Sequence, residues 1–281
     1  MYYFASDMHL GNSAGGDSRR RERMLVEWLD KAAADAEAIF LVGDVFDFWF
    51  EYKKVVPKGF VRVLGKLAEL TDRGVEIHFF PGNHDMWDAG YLEAECGLIV
   101  HKGVAIMELN GKRIFMAHGD NLGAGRSCGE RFLSAFFRNN PAKWVFERVV
   151  HPDLALMLGH WWSHGSRKSH GAGYEFWGER EPLVRFARDF ASRNPQTPVD
   201  YFVFGHLHHF LRYDLGSRAP ASALAGCGER DGERLRSTAR STFSASAAPA
   251  AGGEVILLGD WIHDPGYAAL APDGTMTLNK L

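Results

Sequence analysis

Five short stretches of this 281-residue chain carry side chains able to hold hard metal ions: Asp7-Met8-His9, Gly43-Asp44-Val45-Phe46-Asp47, Pro81-Gly82-Asn83-His84-Asp85, His118-Gly119-Asp120 and Gly205-His206-Leu207-His208. Each follows directly on an apolar run. That placement suits ligands standing on loops at the carboxyl ends of buried strands, where open α/β sheets put their sites. Carboxylate, imidazole and amide oxygen form a mixed donor set without thiolate, which fits Mn2+, Fe2+ or Zn2+ better than a structural zinc site. In Asp-x-His and His-x-His, an extended backbone points both side chains to one side. Asp44 has two carboxylate oxygens with which to bridge two ions. A two-ion site with ~3.5 to 4 Å between ions activates water and clamps a phosphoryl group.

The elements that must deliver these residues can be read from periodicity. Residues 2–6 read as a first strand. Asp17-Ser18 then opens a helix through Met24, Leu25, Trp28, Leu29, Ala32 and Ala33, with Ser18 as its N-cap. The apolar run 38–42 reads as a buried strand ending in Gly43-Asp44. Phe60 to Thr71 is amphipathic, with Gly74 as its stop, and 75–80 forms the third strand. Strands near 105–109 and 113–117 bracket the Asn110-Gly111 hairpin signal and deliver His118, and 199–204 delivers His206 and His208. Five strand ends therefore converge on one edge. Strand 255–258, Gly259-Asp260-Trp261 and a hairpin turning at Asp273-Gly274 complete the fold.

Two stretches depart from that alternation. From about 129 to 165 the chain is rich in large apolar groups, among them Phe136, Phe137, Trp144, Trp161 and Trp162, with Arg138, Lys143 and Arg148 interleaved and breaks at Pro141 and Pro152. We read an inserted helical cap at about 125–180 beside the site, with plain helical core as the alternative. From Gly216 to Gly253 only Leu224, Leu235 and Phe243 are large aliphatic or aromatic groups, too few to offset the entropy of ordering, so 216–253 reads as a disordered loop inserted in a single domain spanning 1–281.

Composition bounds the rest. With 46% hydrophobic residues the chain can bury a substantial core, and a net charge of −3 argues against a nucleic-acid partner held by bulk electrostatics, local basic patches aside. Three separated cysteines, Cys96, Cys128 and Cys227, give neither a disulfide framework nor a thiolate metal motif, which suits a reducing cytoplasm. The first residues lack the features of a signal peptide, and no run approaches the ~18 to 20 apolar residues that cross a bilayer. A soluble or peripheral protein is expected.

Taken in order, the five motifs resemble the signature of the calcineurin-like metallophosphoesterases over about 200 residues. The resemblance implies a sandwich of two mainly mixed β-sheets flanked by helices. It implies one ion held by Asp7, His9, Asp44 and His208, and a second by Asp44, Asn83, His118 and His206. His84 would bind the phosphate, with Asn83, and assist the leaving oxygen, and Asp85 would orient His84 or another imidazole. Within that superfamily the chain is similar to the UDP-2,3-diacylglucosamine diphosphatases of lipid A synthesis, in Ser6-Asp7-Met8-His9-Leu10-Gly11, Gly43-Asp44-Val45-Phe46-Asp47-Phe48-Trp49, His118-Gly119-Asp120-Asn121-Leu122 and Leu258-Gly259-Asp260-Trp261. The best-known branch of that family carries Arg where this chain has His84, the residue of the wider superfamily.

That likeness implies two divalent ions, usually Mn2+, and hydrolysis of a UDP-linked diacylated glucosamine to UMP and a lipid sugar phosphate. It also implies a peripheral place on the inner face of the inner membrane. A two-chain lipid needs an apolar groove, since each buried CH2 contributes ~0.8 kcal/mol, and Phe132 to Trp162 could line it. Among the basic groups near the cap, Arg126, Arg131, Arg138, Lys143, Arg167 and Lys168 could meet phosphates or an anionic membrane surface. Asn121, Arg167 and Lys168 are the first choices for substrate contact. Two rivals are a phosphoesterase acting on a soluble nucleotide, which would need no apolar cap, and a metal-bound scaffold, which would tolerate loss of ligands. The sequence is silent on oligomeric state.

Overall fold

The computed structural model describes residues 1–12, 17–123, 144, 150, 151, 154, 175–216 and 252–281. A six-stranded sheet runs in the order β11-β10-β1-β2-β3-β4, from Met276–Lys280, Gly266–Leu270, Tyr2–Ala5, Ala38–Leu41, Glu76–Phe79 and Ile99–Val100. A five-stranded sheet runs β5-β6-β7-β9-β8, from Ala105–Leu109, Lys112–Ala117, Tyr201–Phe204, Glu254–Leu258 and Phe210–Asp214. Strands β1 to β4 are parallel, as are β6, β7 and β9, while β5, β8, β10 and β11 pair antiparallel. Both sheets are thus mixed.

Period-two alternation decides the layering. In β2, Ala38 and Phe40 face the second sheet, whereas Ile39 and Leu41 face the helices α1 (Ser18–Ala32), α2 (Val61–Asp72) and α3 (Tyr91–Cys96). Phe4, Phe40, Ile114, Met116, Val203 and Ile256 fill the space between the sheets. The outer face of the second sheet, with Phe115, Phe202 and Phe204, is covered by α4 (Pro182–Arg193). Four layers result: helices, sheet, sheet, helix. Each strand buried on both faces reads as a continuous apolar run because neither side meets water.

The local readings hold with small shifts. Asp17, not Ser18, caps α1: its carboxylate accepts from Arg19 N–H at 2.9 Å, while Ser18 Oγ instead accepts from Gly11 N–H at 2.6 Å. An ionised carboxylate at a helix N-terminus also meets the positive end of the dipole, which a hydroxyl does not. Asn110 and Gly111 turn the β5–β6 hairpin with φ of 48° and 70°. Of the expected cap, only Trp144, Val150, His151, Leu154 and the residues from 175 onward are described; the rest of 125–180, including its expected helices, lies outside the described residues, as does 217–251. The two ends of that second insertion meet, Leu215 N–H donating to Gly253 C=O at 3.1 Å.

Phe40 is fully buried and stacks on Phe4 with ring centroids 4.9 Å apart. Truncating Phe40→Ala is expected to cost about 3–5 kcal/mol in urea denaturation; a loss below ~1 kcal/mol would show that the interface between the sheets is not where the core stability resides.

Candidate metal centre

Every motif sits just past the end of a parallel strand: Asp7 after β1, Asp44 after β2, Asn83 and His84 after β3, His118 after β6, and His206 and His208 after β7. The loops themselves run side by side. Asp7 N–H donates to Gly43 C=O and His9 N–H to Asp44 C=O, both at 3.0 Å, so the first two motifs are tied by backbone as the strands are. Of seven non-glycine residues with positive φ among those described, five are site residues: Asp7, His9, Asp44, His206 and His208. The backbone is therefore left-handed there, not extended as the x-spaced pairs suggested, at a cost of order 1–3 kcal/mol per residue. His206 and His208 consequently diverge, the first lying against the His118 ring (centroids 5.3 Å) and the second against His9 (5.1 Å).

Glycines next to the site residues let these loops close up. A Cβ on Gly82 would run into the Asp44 carboxylate, and one on Gly205 into Ser6 Oγ and the Asp7 carboxylate.

The side chains are aimed by their outer atoms. Asp7 Oδ2 accepts from Ser6 Oγ at 2.5 Å and from His206 N–H at 3.0 Å, which leaves Oδ1 turned inward. Asp7 Oδ1 lies 3.3 Å from His208 Nε2 and 3.6 Å from His9 Nε2, and these two nitrogens are 3.3 Å apart. Asp44 Oδ1 accepts from His84 N–H at 2.9 Å, and Oδ2 faces His118 Nε2 at 3.3 Å and His9 and His84 Nε2 at 3.9 Å each. Asp44 Oδ2 is thus the oxygen turned toward the three imidazoles. His118 Nδ1 lies 3.0 Å from Val42 C=O and His84 Nδ1 2.8 Å from Asp47 C=O. A carbonyl only accepts, so both rings carry a proton on Nδ1 and turn Nε2 to the centre.

Donor atoms lying within 4.8 Å of one another come from three overlapping groups: Asp7, His9 and His208; His9, Asp44 and His84; and Asp7, Asp44 and His118. Asp7 Oδ1, His118 Nε2 and Asn83 Oδ1 are buried without a hydrogen bond. Carboxylate charge gathered in a buried space repels itself, and unsatisfied buried polar atoms are costly. Divalent cations resolve both problems, and an all-oxygen-and-nitrogen set suits Mn2+, Fe2+ or Zn2+.

Electrostatics agree. Burial alone would lower His9, yet hydrogen bonding to Asp47 and Asp7 and the Asp44 charge raise it to about 10. Burial works against His118 too, but the Asp44 and Asp7 carboxylates hold it well above the usual imidazole range. Burial raises Asp7 and Asp44, and the surrounding imidazoles overcome that to hold both well below the usual carboxylate range. His84, with burial dominant, is lowered and stays neutral. Protons on His9 and His118 thus balance the Asp7 and Asp44 carboxylates, the charge that divalent ions would balance in their place.

Among the described residues Asp85 bonds backbone amides, not an imidazole. Its carboxylate accepts from the backbone N–H groups of Gly82, Asp44, Val45 and Phe46 at 2.7 to 3.3 Å, clamping the β2 and β3 loops together. Burial and the Asp44 charge push it up to about 7 while those donors pull the other way. Asp47 holds His84 through its carbonyl, and its Oδ1 lies 3.5 Å from His9 Nδ1. Asn121 is exposed, one residue past the buried Asp120, and Arg167 and Lys168 lie outside the described residues.

Asp260 was missed as a site residue. It follows β9 as Gly259-Asp260, repeating the Gly43-Asp44 arrangement that would have revealed it. Its Oδ2 lies 3.6 Å from His208 Nδ1, its Oδ1 accepts from Ile262 and His263 N–H at 2.7 Å, and Trp261 N–H donates to Asp7 C=O at 3.0 Å. The β9 loop thereby backs the Asp7–His208 side of the site.

Fold and site together define a phosphoesterase. The sequence profile of the calcineurin-like phosphoesterases matches residues 2–210, and the chain belongs to that family. More particularly, the chain is similar to proteins named UDP-2,3-diacylglucosamine hydrolase. One from Porphyromonas gingivalis is 37% identical over 285 aligned residues, covering 97% of this chain and 94% of that protein. One from Histophilus somni is 27% identical over 237, covering 79% and 94%.

Carboxylates behind metal-binding imidazoles typically change metal affinity 10–100-fold when removed. Asp260→Asn is accordingly expected to weaken Mn2+ binding by about that factor in calorimetric titration, with the fold intact by circular dichroism; unchanged affinity would mean that Asp260 only shapes its loop.

Proposed function

We propose that this chain hydrolyses the pyrophosphate bond of UDP-2,3-diacylglucosamine, giving UMP and a diacylglucosamine 1-phosphate. The observation that carries the reading is 37% identity to a protein of that name across 97% of the chain, supported by the seven candidate ligands following strands that end at one edge. Asp7, His9, Asp44 and His208 would hold one divalent ion, and Asp44, Asn83, His118 and His206 the other; Mn2+ suits the donors. Such a pair of ions lowers the pKa of water and neutralises charge on the phosphoryl oxygens.

The chain's own residues set the geometry around that chemistry. Water oxygen adds to the α-phosphorus and the bond from that phosphorus to the bridging oxygen breaks, so the leaving group is itself a phosphate. Such a leaving group is weakly basic and needs little protonation. His84 fits that demand: neutral, with Nδ1–H fixed on Asp47 C=O, it offers Nε2 as its one atom for exchanging a proton or hydrogen bond with the substrate phosphates. Asp85 keeps the loops bearing Asp44 and His84 at fixed separation, which holds attacking and leaving groups in line.

Asn121, Arg167 and Lys168 are proposed contacts to the substrate's polar head, and the 125–180 segment is proposed to supply the apolar surface for its acyl chains. No helix among the described residues is long and apolar enough to cross a membrane. A substrate that partitions into lipid calls for peripheral attachment, on the cytoplasmic face of the inner membrane in this reading.

Purified protein incubated with Mn2+ and UDP-2,3-diacylglucosamine should release UMP, EDTA should abolish the release, and His118→Ala should lower the rate by about 10^2–10^3-fold or more. UMP release that survives EDTA, or a soluble nucleotide diphosphate cleaved with higher kcat/KM than the lipid, would contradict the assignment.

A further inference from the structure

The chain's net charge of −3 hides a strongly uneven distribution. In residues 17–23 and 52–62 there are eight basic side chains, all but the buried Arg21 exposed, and two acidic ones, Asp17 and Glu22. These two stretches are neighbours in space. Glu22, near the start of α1, accepts from Arg62 N–H at 3.0 Å at the start of α2, and its other oxygen lies 3.7 Å from the Arg62 guanidinium. Both helices begin where the loops after β1 and β2 end, so the basic surface lies on the same edge of the sheet as the metal centre.

Residues 53–58 make the most of this surface. Tyr52 N–H donates to Val55 C=O at 2.9 Å, closing a turn that leaves Lys53, Lys54 and Val55 exposed, while Pro57 is buried and Val56 packs on the core as an anchor. Lys53, Lys54 and Lys58 have no acidic partner among the described residues. Two apolar side chains stand among these cations, Val55 at 51% and Val61 at 75% exposure. The turn is also held rigidly to the site: Phe50 pairs with Trp87, Tyr52 OH donates to Val150 C=O at 2.7 Å, and Phe48, Phe50, Tyr52, Met86, Trp87 and Val150 form one cluster.

Exposed valines between lysines are what an interfacial element presents to a bilayer, with methyl groups entering the headgroup region and ammonium groups meeting anionic lipid. A nucleic-acid surface would show cations with aromatic or polar side chains rather than bare aliphatic ones. We propose that the turn 53–58, with Val61 and the exposed Arg19 and Arg20 beside it, is the surface by which the protein docks on anionic membranes. It would present the metal-bearing edge to the layer that holds a lipid substrate. The inference rests on the lipid reading above and assigns the contact to this edge rather than to the basic residues of 125–180.

The test is co-sedimentation of the full chain with vesicles of phosphatidylethanolamine and phosphatidylglycerol, against phosphatidylcholine alone, over a range of salt. Each cation lost is expected to lower binding about fivefold, so Lys53→Glu/Lys54→Glu/Lys58→Glu should lower it at least about 100-fold, and Val55→Ser should weaken it further in a salt-independent way. All four positions are exposed and outside the metal centre, so UMP release from substrate in detergent micelles should remain at the unmodified rate. Binding of the triple variant equal to that of the unmodified protein would overturn the proposal, as would tighter binding to RNA than to the vesicles. Loss of micellar turnover in the unmodified protein would instead strike the lipid reading itself, which the vesicle assay does not measure.

Discussion

A few lone pairs with nowhere to go govern this molecule. Asp7 Oδ1, Asp44 Oδ2 and the Nε2 atoms of His9, His118 and His208 meet at 3.3 to 3.9 Å inside a buried edge, the outer atoms of Asp7, Asp44 and His118 already committed to hydroxyl, amide or carbonyl partners and those of His9 and His208 facing Asp47 and Asp260. Left alone, such a cluster repels itself and leaves polar atoms unsatisfied. The rest of the fold supplies the force that keeps it assembled. Two sheets packed through Phe4, Phe40 and Val203 fix the strand ends, and left-handed backbone at five residues bends each loop inward. Asp85 ties two of those loops through four amide groups. Stability invested in the core is spent holding charge together.

The same constraint explains what sequence reading reached. Strands buried on both faces announce themselves as short apolar runs, so β1, β2, β3, β6, β7 and β9 were legible, and the residues directly after them had to be loops at one edge. The mixed two-sheet architecture came from the family resemblance, since pairing partners leave no periodic trace in a single sequence. Backbone handedness was not legible: Asp-x-His looks like an extended pair, and only packing against the Gly43 and Gly205 loops forces positive φ. For the same reason Asp85 was read as a partner of an imidazole, where its burial instead among four N–H groups makes it a backbone clamp. Asp260 carried a signal, the Gly-Asp after a strand, but its contact with His208 depends on the β9 loop lying beside the β7 loop, which the sequence does not show.

Chemistry and location converge on one edge. The helix starts, the metal-bearing loops and the basic turn at 53–58 all lie beyond the carboxyl ends of β1 and β2. A neutral His84 suits displacement of a phosphate rather than of an alkoxide, because the weakly basic leaving group asks little of an acid. An edge with exposed cations at its rim and buried carboxylates at its centre would meet an anionic lipid surface at the rim and metal ions at the core, separating docking from hydrolysis.

The central claim is that these side chains surround two cations through inward-facing atoms. Anomalous diffraction at the manganese edge from crystals grown with Mn2+ tests it most directly. Two peaks ~3.5 to 4 Å apart are expected, with Asp44 between them, one flanked by Asp7, His9 and His208 and the other by Asn83, His118 and His206. A single peak, or two held by other residues, would contradict it.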